Sequence, residues 1–281
     1  MSPASPVVAT VYLLDDLSGR VAVRGADSGL APDVVADLVA DVRNTTLRAA
    51  AAFPLGAVSV ELLSWQHVLD SLRVRLGSVA SSAEGFDATL VLGEGGARLA
   101  VDLAAWGCSL PERHDVAVAK VLDEPDNAFY SPHSIARRDR EPLQPPAAPL
   151  GRARLLVVDD CVQTGMTFDE VVRVSGVRPG RVVTGLCNEA TLRRLEEAGW
   201  EVVYGVLLPG PTYPDSYETD LFCVRDFVVE DAVRFSDGSS TSYSSGGDWL
   251  EVLYGSSSAA SVVADDWQRL TARLRAHGVT P

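Results

Sequence analysis

Hydrophobic positions along the chain change their period at about residue 85. Before it, an apolar run over 7–14 predicts a strand. A helix is expected to begin near Pro32, because proline is tolerated in a first turn. Val34, Val35, Leu38, Val39 and Val42 then recur at helical spacing. A second helix is expected over 60–76, with Leu62, Leu63, Val68, Leu69, Leu72 and Leu76 on one side. Gly77 and the polar run 78–85 break the pattern. From Phe86 onward, short apolar runs alternate with amphipathic segments. Strands are expected at 89–92, 116–121, 155–158, 182–187 and 202–208, and helices at 97–106, from Thr167, and at 190–198. Residues 123–150 have no apolar period and read as one long loop, which in a compact domain is commonly functional or disordered. Strand–helix alternation of this kind predicts a parallel α/β sheet, whose ligands bind beyond the carboxyl ends of the strands. Past Pro209 the pattern predicts a strand over 221–229, a Gly/Ser-rich loop or hairpin over 236–247 and a helix over 264–276. No internal repeat is visible. The expected division is 1–85, a core at 86–208, and 209–281.

Composition narrows the function classes. The chain has 281 residues, 47% hydrophobic, enough for a substantial core. Against 38 acidic residues stand 24 basic ones, a formal charge of −14. That balance disfavours nucleic acid, which needs a basic face, and the anionic leaflet of a membrane. All the basic residues but Lys120 are arginine, a bias that a GC-rich coding sequence explains. Cys108, Cys161, Cys187 and Cys223 form no CxxC and no metal-ligand spacing with the four histidines. They read as buried thiols in a reducing compartment. The start of the chain lacks a basic, then apolar, targeting pattern, and no window approaches a membrane span. A cytoplasmic location is the expectation.

The chemistry concentrates at 155–167, LLVVDDCVQTGMT. Four apolar residues predict a buried strand, and Asp159 and Asp160 follow where it is expected to end. Val162, Gln163, Thr164, Gly165, Met166 and Thr167 form a tight turn into a helix, with Thr167 and Glu170 spaced as a capping box. Unpaired amides at a helix start favour an anion, threonine hydroxyls add donors, and Gly165 lets the backbone come close to it. Two carboxylates beside a phosphate cradle repel a bare phosphate. They make sense if they accept hydrogen bonds from vicinal hydroxyls, so the pattern suits a ribose 5-phosphate. A strand–turn–helix with a merely polar turn, or a receiver domain opening on LLVVDD, are the alternatives. The second needs an aspartate at the end of a later strand, and Cys187 and Leu208 stand there instead.

These residues resemble the phosphoribosyl-diphosphate (PRPP) motif of type I phosphoribosyltransferases. The resemblance implies a parallel-sheet, Rossmann-like α/β core with a variable hood drawn from the two flanking segments. It implies that Asp159 and Asp160 hold the ribose hydroxyls and lie near Mg²⁺, the expected cofactor, and that residues 162–167 cradle the 5-phosphate. Upstream, Gly93, Glu94, Gly95 and Gly96 resemble the family's pyrophosphate loop, although Glu94 stands where many members have a basic or hydroxyl residue. It should therefore face away or meet Mg²⁺ through water. Lys120 is placed where orotate-type members hold pyrophosphate with a cation, and a lysine suits a point contact. An exposed lysine at a strand end is the plainer reading.

The loop 123–150 would be the family's lid. It carries Tyr130, Ser131, His133, Arg137, Arg138 and Arg140, and the stretch 137–154 is net basic within an acidic chain, which would attract a polyanion. A solvated linker is the alternative. His133 is a weak candidate for assisting pyrophosphate departure. Purine-salvage members place an acid where Gln163 stands, and an amide cannot accept a proton at neutral pH, so the acceptor stays open. The expected function is transfer of ribose 5-phosphate from PRPP to a nucleobase-like or amine acceptor with release of pyrophosphate, with a homodimer implied only by the resemblance. A reverse, phosphorolysis-like reaction and a PRPP- or nucleotide-sensing regulator on the same fold are the alternatives. Tyr213, Tyr217, Phe222, Phe227, Tyr243, Trp249 and Tyr254 supply aromatic surface for a flat acceptor or, more plainly, core.

Overall fold

The computed structural model describes residues 9–52, 58–78, 85–116, 119–122, 133–136, 154–176, 178–210, 219–229, 233–235, 240–241 and 257–280. In chain order these form β1 (Ala9–Asp15), α1 (Ser18–Asp27), α2 (Pro32–Ala52), β2 (Val58–Ser64), α3 (Trp65–Ser78), β3 (Ala88–Leu92), α4 (Gly93–Ala105), β4 (Arg113–Val116), β5 (Ala119–Leu122) and β6 (His133–Ala136). Then follow β7 (Arg154–Val162), α5 (Met166–Ser175), β8 (Arg178–Asn188), α6 (Glu189–Glu197), β9 (Glu201–Leu208), β10 (Thr219–Cys223), α7 (Val224–Val228), β11 (Val233–Phe235), β12 (Ser240–Thr241) and α8 (Ser257–Ala276). Two compact units result: one from 1–66, 122–132 and 217–281, the other from 67–121 and 133–216. Among the described residues no helix is long and apolar enough to cross a membrane.

The second unit holds a five-stranded sheet in the order β4-β3-β7-β8-β9, with every pairing parallel. Such a sheet must be covered on both faces, so its central strands are apolar without alternation. All five residues of β3 are accordingly buried. Leu90, Leu155, Val157 and Val182 pack with Phe168 and Val171 of α5 and with Leu192 and Leu195 of α6. Phe168 meets Trp200 edge-on at 4.9 Å between ring centroids, a favourable arrangement for the ring quadrupoles. Truncating Phe168 to alanine would cost about 3–5 kcal/mol. In order of occurrence the strands run 2-1-3-4-5, so chain direction across the sheet reverses between β3 and β7. The crevice at such a reversal is where α/β sheets bind ligands.

The pairing of β7 is lopsided at that crevice. Toward β3 the register runs from Ala88↔Leu155 to Val91↔Val158. Toward β8 it continues through Asp159↔Thr184 and Cys161↔Leu186 to Val162↔Cys187. Asp159 and Asp160 therefore lie inside β7, not past its end as the sequence pattern predicts. They stand beyond the reach of β3, where α4 begins.

The first unit carries a parallel three-stranded sheet, β10-β1-β2. Val11 and Leu13 of β1 pack with Leu38 and Val42 of α2, Phe227 of α7 and Trp267 of α8. Phe227 stacks on Trp267 at 5.1 Å, so Phe222 and Phe227 are core residues rather than acceptor surface. At the end of β1 stands another acidic pair. Asp15 Oδ1 accepts from the Leu17 and Ser18 amides at 3.3 and 2.9 Å, and its Oδ2 accepts from the Ser18 hydroxyl at 2.6 Å. Buried Asp16 accepts from the Arg225 amide at 3.0 Å. β11 and β12 pair as a short antiparallel hairpin within the predicted 236–247 region and its preceding residues.

Several sequence expectations need correction. The helix expected over 60–76 is β2 followed by α3. Its first residues alternate, Val58-Ser59-Val60, and pair with β1 in register, which outweighs the leucines at helical spacing. α1 has no counterpart in the sequence reading. The strand expected at 116–121 is two strands, β4 in the core sheet and β5 in another. The loop expected over 123–150 contains β6, which lies beside β5. The strand expected at 221–229 turns into α7 after Cys223, and the last helix starts at Ser257.

Candidate functional site at the sheet reversal

Side chains alternate across a strand. Asp159 therefore follows Leu155 and Val157 toward α5 and α6, and Asp160 follows Leu156 and Val158 toward α4. Asp159 is buried, at 8% exposure. Asp160 rests on the first turn of α4: a Cβ added at Gly95 would lie 2.0–2.1 Å from the Asp160 carboxyl atoms, and one at Gly96 2.6 Å from the Val158 carbonyl oxygen. Gly96 is thus required by the close approach of α4 to β7, and Gly95 leaves room for the Asp160 carboxyl. The GEGG segment is itself the helix start, not a loop before a helix at residue 97. Gly93 opens the turn at φ +60°, and Glu94 is exposed. No side chain caps α4, and Leu92 at the cap position has none to offer, so the first amides there favour negative charge.

Arg98, one turn into α4, places Nη2 3.3 Å from Asp160 Oδ2. Both side chains are about a quarter exposed, so the pair is worth about 1 kcal/mol or less. Arg98 Nη1 is buried with no hydrogen-bond partner. Burial raises the pKa of Asp102, on the next turn, and the Arg98 charge pulls it partly back. Sequence reasoning missed Arg98. Its only signal was its place in the turn after the glycines.

Past β7 the chain makes the second half of the crevice. Gly165 is the N-cap of α5, at φ +76° in the left-handed region, which an L side chain enters only at a cost. A Cβ there would also meet Arg194 Nη2 at 2.3 Å and Thr191 Cγ2 at 3.0 Å. α6 braces this turn from outside. Thr191 Oγ1 donates to the Gln163 carbonyl at 2.6 Å, and Arg194 Nη2 donates to the Thr164 carbonyl at 3.2 Å while Nη1 bonds Asp169 at 2.8 Å. Asn188 in turn caps α6, its Oδ1 accepting from the Ala190 amide at 2.9 Å. The expected capping box is absent. Thr167 is already the second residue of α5, and Glu170 bonds Arg173 at 2.6 and 2.7 Å. The Met166 amide has a long contact to Thr164 Oγ1 at 3.4 Å, and no side chain caps the helix. Val162 and Gly165 are buried, and Gln163, Thr164, Met166 and Thr167 are half-buried. Thr191 and Arg194 were not singled out in the sequence, because support from a later helix leaves no local pattern.

Two candidates fall elsewhere in the topology. The backbone of Lys120 lies in β5 and that of His133 in the neighbouring β6, not at the end of a core-sheet strand. Arg137, Arg138, Arg140, Tyr130 and Ser131 lie outside the described residues, as do Tyr213, Tyr217, Tyr243, Trp249 and Tyr254.

Among the described residues no cluster of three or more His, Cys, Asp or Glu could hold a metal by itself. Two adjacent carboxylates fit Mg²⁺ only where a ligand supplies most of the oxygens, which is how this ion is commonly held. None of the four cysteines forms a disulfide, and burial pushes the Cys187 thiol up to about 12, so it is no nucleophile.

No protein-family model matches the chain, and no curated protein is similar to it. Solved structures that resemble it include a hypothetical protein from Neisseria gonorrhoeae with bound ppGpp, 14% identical over 56% of this chain and 82% of that one, TM-score 0.36. Another is purine phosphoribosyltransferase from Pyrococcus horikoshii, 16% identical over 57% and 89%, TM-score 0.35. A third is orotate phosphoribosyltransferase from Aeropyrum pernix, 16% identical over 51% and 71%, TM-score 0.29.

Proposed function

We propose that the chain is a phosphoribosyltransferase that transfers ribose 5-phosphate from PRPP to a nucleobase-like or amine acceptor. One observation carries the reading. The strand order 2-1-3-4-5 brings both motifs, Gly93–Gly96 and Asp159–Thr167, to the one reversal point of a parallel sheet. Sequence spacing alone does not require sixty-odd residues to fold back in this way.

In this reading the uncapped start of α5 and the turn 162–167 bind the 5-phosphate, held rigid by Thr191 and Arg194. Asp159 and Asp160 accept hydrogen bonds from the ribose hydroxyls and so fix C1. The uncapped first turn of α4 receives the pyrophosphate. An acceptor lone pair attacks C1, the bond from C1 to the pyrophosphate oxygen breaks, and that oxygen keeps the electron pair. The protein contributes placement and fixed charge to an oxocarbenium-like transition state. Asp159 and Asp160 would hold Mg²⁺ together with the substrate, and the ion would supply positive charge toward the leaving group. Gln163 cannot act as the base that an acid would supply at that position, so the acceptor must arrive nucleophilic or lose its proton elsewhere. Lys120, His133 and Arg137 are proposed as further contacts to the pyrophosphate.

The test is a screen for pyrophosphate release from PRPP and Mg²⁺ over purines, pyrimidines and small amines. One acceptor should give stoichiometric release, and Asp160→Asn should slow it by roughly 10²-fold without altering the urea midpoint. PRPP binding with no release for any acceptor would favour the sensor. An Asp160→Asn variant of full activity would remove the assigned roles.

A further inference from the structure

Arg98 bonds one carboxylate, that of Asp160, and does not saturate it. It touches Asp160 through one nitrogen at 3.3 Å, longer than the charge-assisted contacts a guanidinium makes when well seated. Its charge also acts on Asp102. Its other terminal nitrogen is buried and has no hydrogen-bond partner. A desolvated donor left unfilled is costly, and the guanidinium that carries it touches, through Nη2, the Asp160 carboxylate packed against Gly95 in the uncapped first turn of α4. Arg98 points there for a geometric reason, since helical side chains lean toward the N-terminus of their helix.

We propose that Arg98 is a placeholder for the ligand: it occupies the sugar-binding carboxylate of Asp160 in the empty protein and passes to the pyrophosphate when ribose hydroxyls take its place. This rests on the phosphoribosyl reading and deepens it. A ligand carrying both a diol and an anion resolves both unsaturated partners at once. The diol replaces the guanidinium on Asp160, and the anion fills the donors that Arg98 then presents. A ligand with the diol but no anion on C1, such as ribose 5-phosphate with its phosphate in the α5 turn, must displace Arg98 and gives it nothing in return. The exchange therefore couples recognition of the sugar to recognition of the leaving group, and it discriminates PRPP from the ribose 5-phosphate that hydrolysis would leave.

Calorimetry with Mg²⁺ tests this on the full chain, using ribose 5-phosphate and PRPP as probes against wild type, Arg98→Met and Arg98→Lys. Arg98→Met should bind ribose 5-phosphate as tightly as wild type or more tightly, and PRPP weaker by about tenfold or more. Arg98→Lys, which keeps the charge without the fork, should recover part of the PRPP affinity. If Arg98 merely shapes Asp160, both ligands weaken by one factor in Arg98→Met, and that result overturns the exchange, as does PRPP affinity that does not change. Should Arg98→Met not fold, Arg98→Gln makes the same comparison. Wild type that binds neither probe would instead remove the phosphoribosyl reading itself.

Discussion

Gly95 and Gly96 are neighbours with different obstacles. The atoms that a Cβ at Gly95 would meet are the carboxyl end of Asp160, which can rotate away. At Gly96 they are the Val158 carbonyl and the Asp159 Cα, which belong to a paired strand. Gly96→Ala should therefore lower stability by ~1–3 kcal/mol, read as a shift in urea midpoint. Gly95→Ala should cost less than ~1 kcal/mol and instead displace Asp160, so that ribose 5-phosphate binding falls while the fold holds. Equal stability losses would show that Asp160 is as fixed as the backbone. Gly165 is a third case. Both its positive φ and the Arg194 guanidinium stand against a side chain, so Gly165→Ala should harm stability and phosphate binding together. The acidic pair and Gly165 were legible in the sequence because their chemistry is local. Arg98 was not, because an arginine's partner is fixed by how α4 lies on β7.

At the scale of elements, the phosphate turn depends on α6. Two of its carbonyls, of Gln163 and Thr164, accept from Thr191 and Arg194. Arg194 is nearly half exposed, so Arg194→Met should leave the unit folded. The loss of a bond to the turn should weaken ribose 5-phosphate about fivefold, the equivalent of ~1 kcal/mol. Thr191→Val, which removes the donor but keeps the shape, should act in the same direction. Unchanged affinity in both would mean that the turn holds its own conformation. The elements β3, β7, β8, α6 and β9 could be read from sequence, since buried parallel strands are apolar runs and the helices between them are amphipathic. Residues 60–64 were misread because this short edge strand suits either period, and only its pairing with β1 settles it. The capping box failed because α5 starts one residue before Thr167, which leaves Glu170 to Arg173.

For the whole molecule, one group in each unit carries a pH sensitivity, and the two are of opposite sign. In the second, burial, and then the Glu196 charge, raises Cys187 from 9.0 to about 12. Unfolding lets that thiol ionise near its ordinary value. Its contribution is complete below pH 9 and is lost as pH rises toward 12. In the first, burial of Asp266 works to raise its pKa, but hydrogen bonds and charge from Arg269 and Arg48 outweigh it and the net shift is downward. Its contribution is present above the unfolded carboxyl value and is lost as pH falls through the folded one. Urea midpoints followed against pH should decline more shallowly on the alkaline side in Cys187→Ala and on the acid side in Asp266→Asn. Parallel curves for variant and wild type would remove either assignment. The acidic pair that ends β1 sets a limit on motif transfer. Asp15 and Asp16 follow four apolar residues much as Asp159 and Asp160 do, yet Asp15 already occupies the amides of Leu17 and Ser18, and Asp16 that of Arg225. Grafting residues 163–167 behind Asp16 would create no second phosphate cradle. What decides a cradle is whether the helix after the acids keeps its first amides open, and in the first unit Asp15 already takes the first of α1 while Asp16 turns to α7.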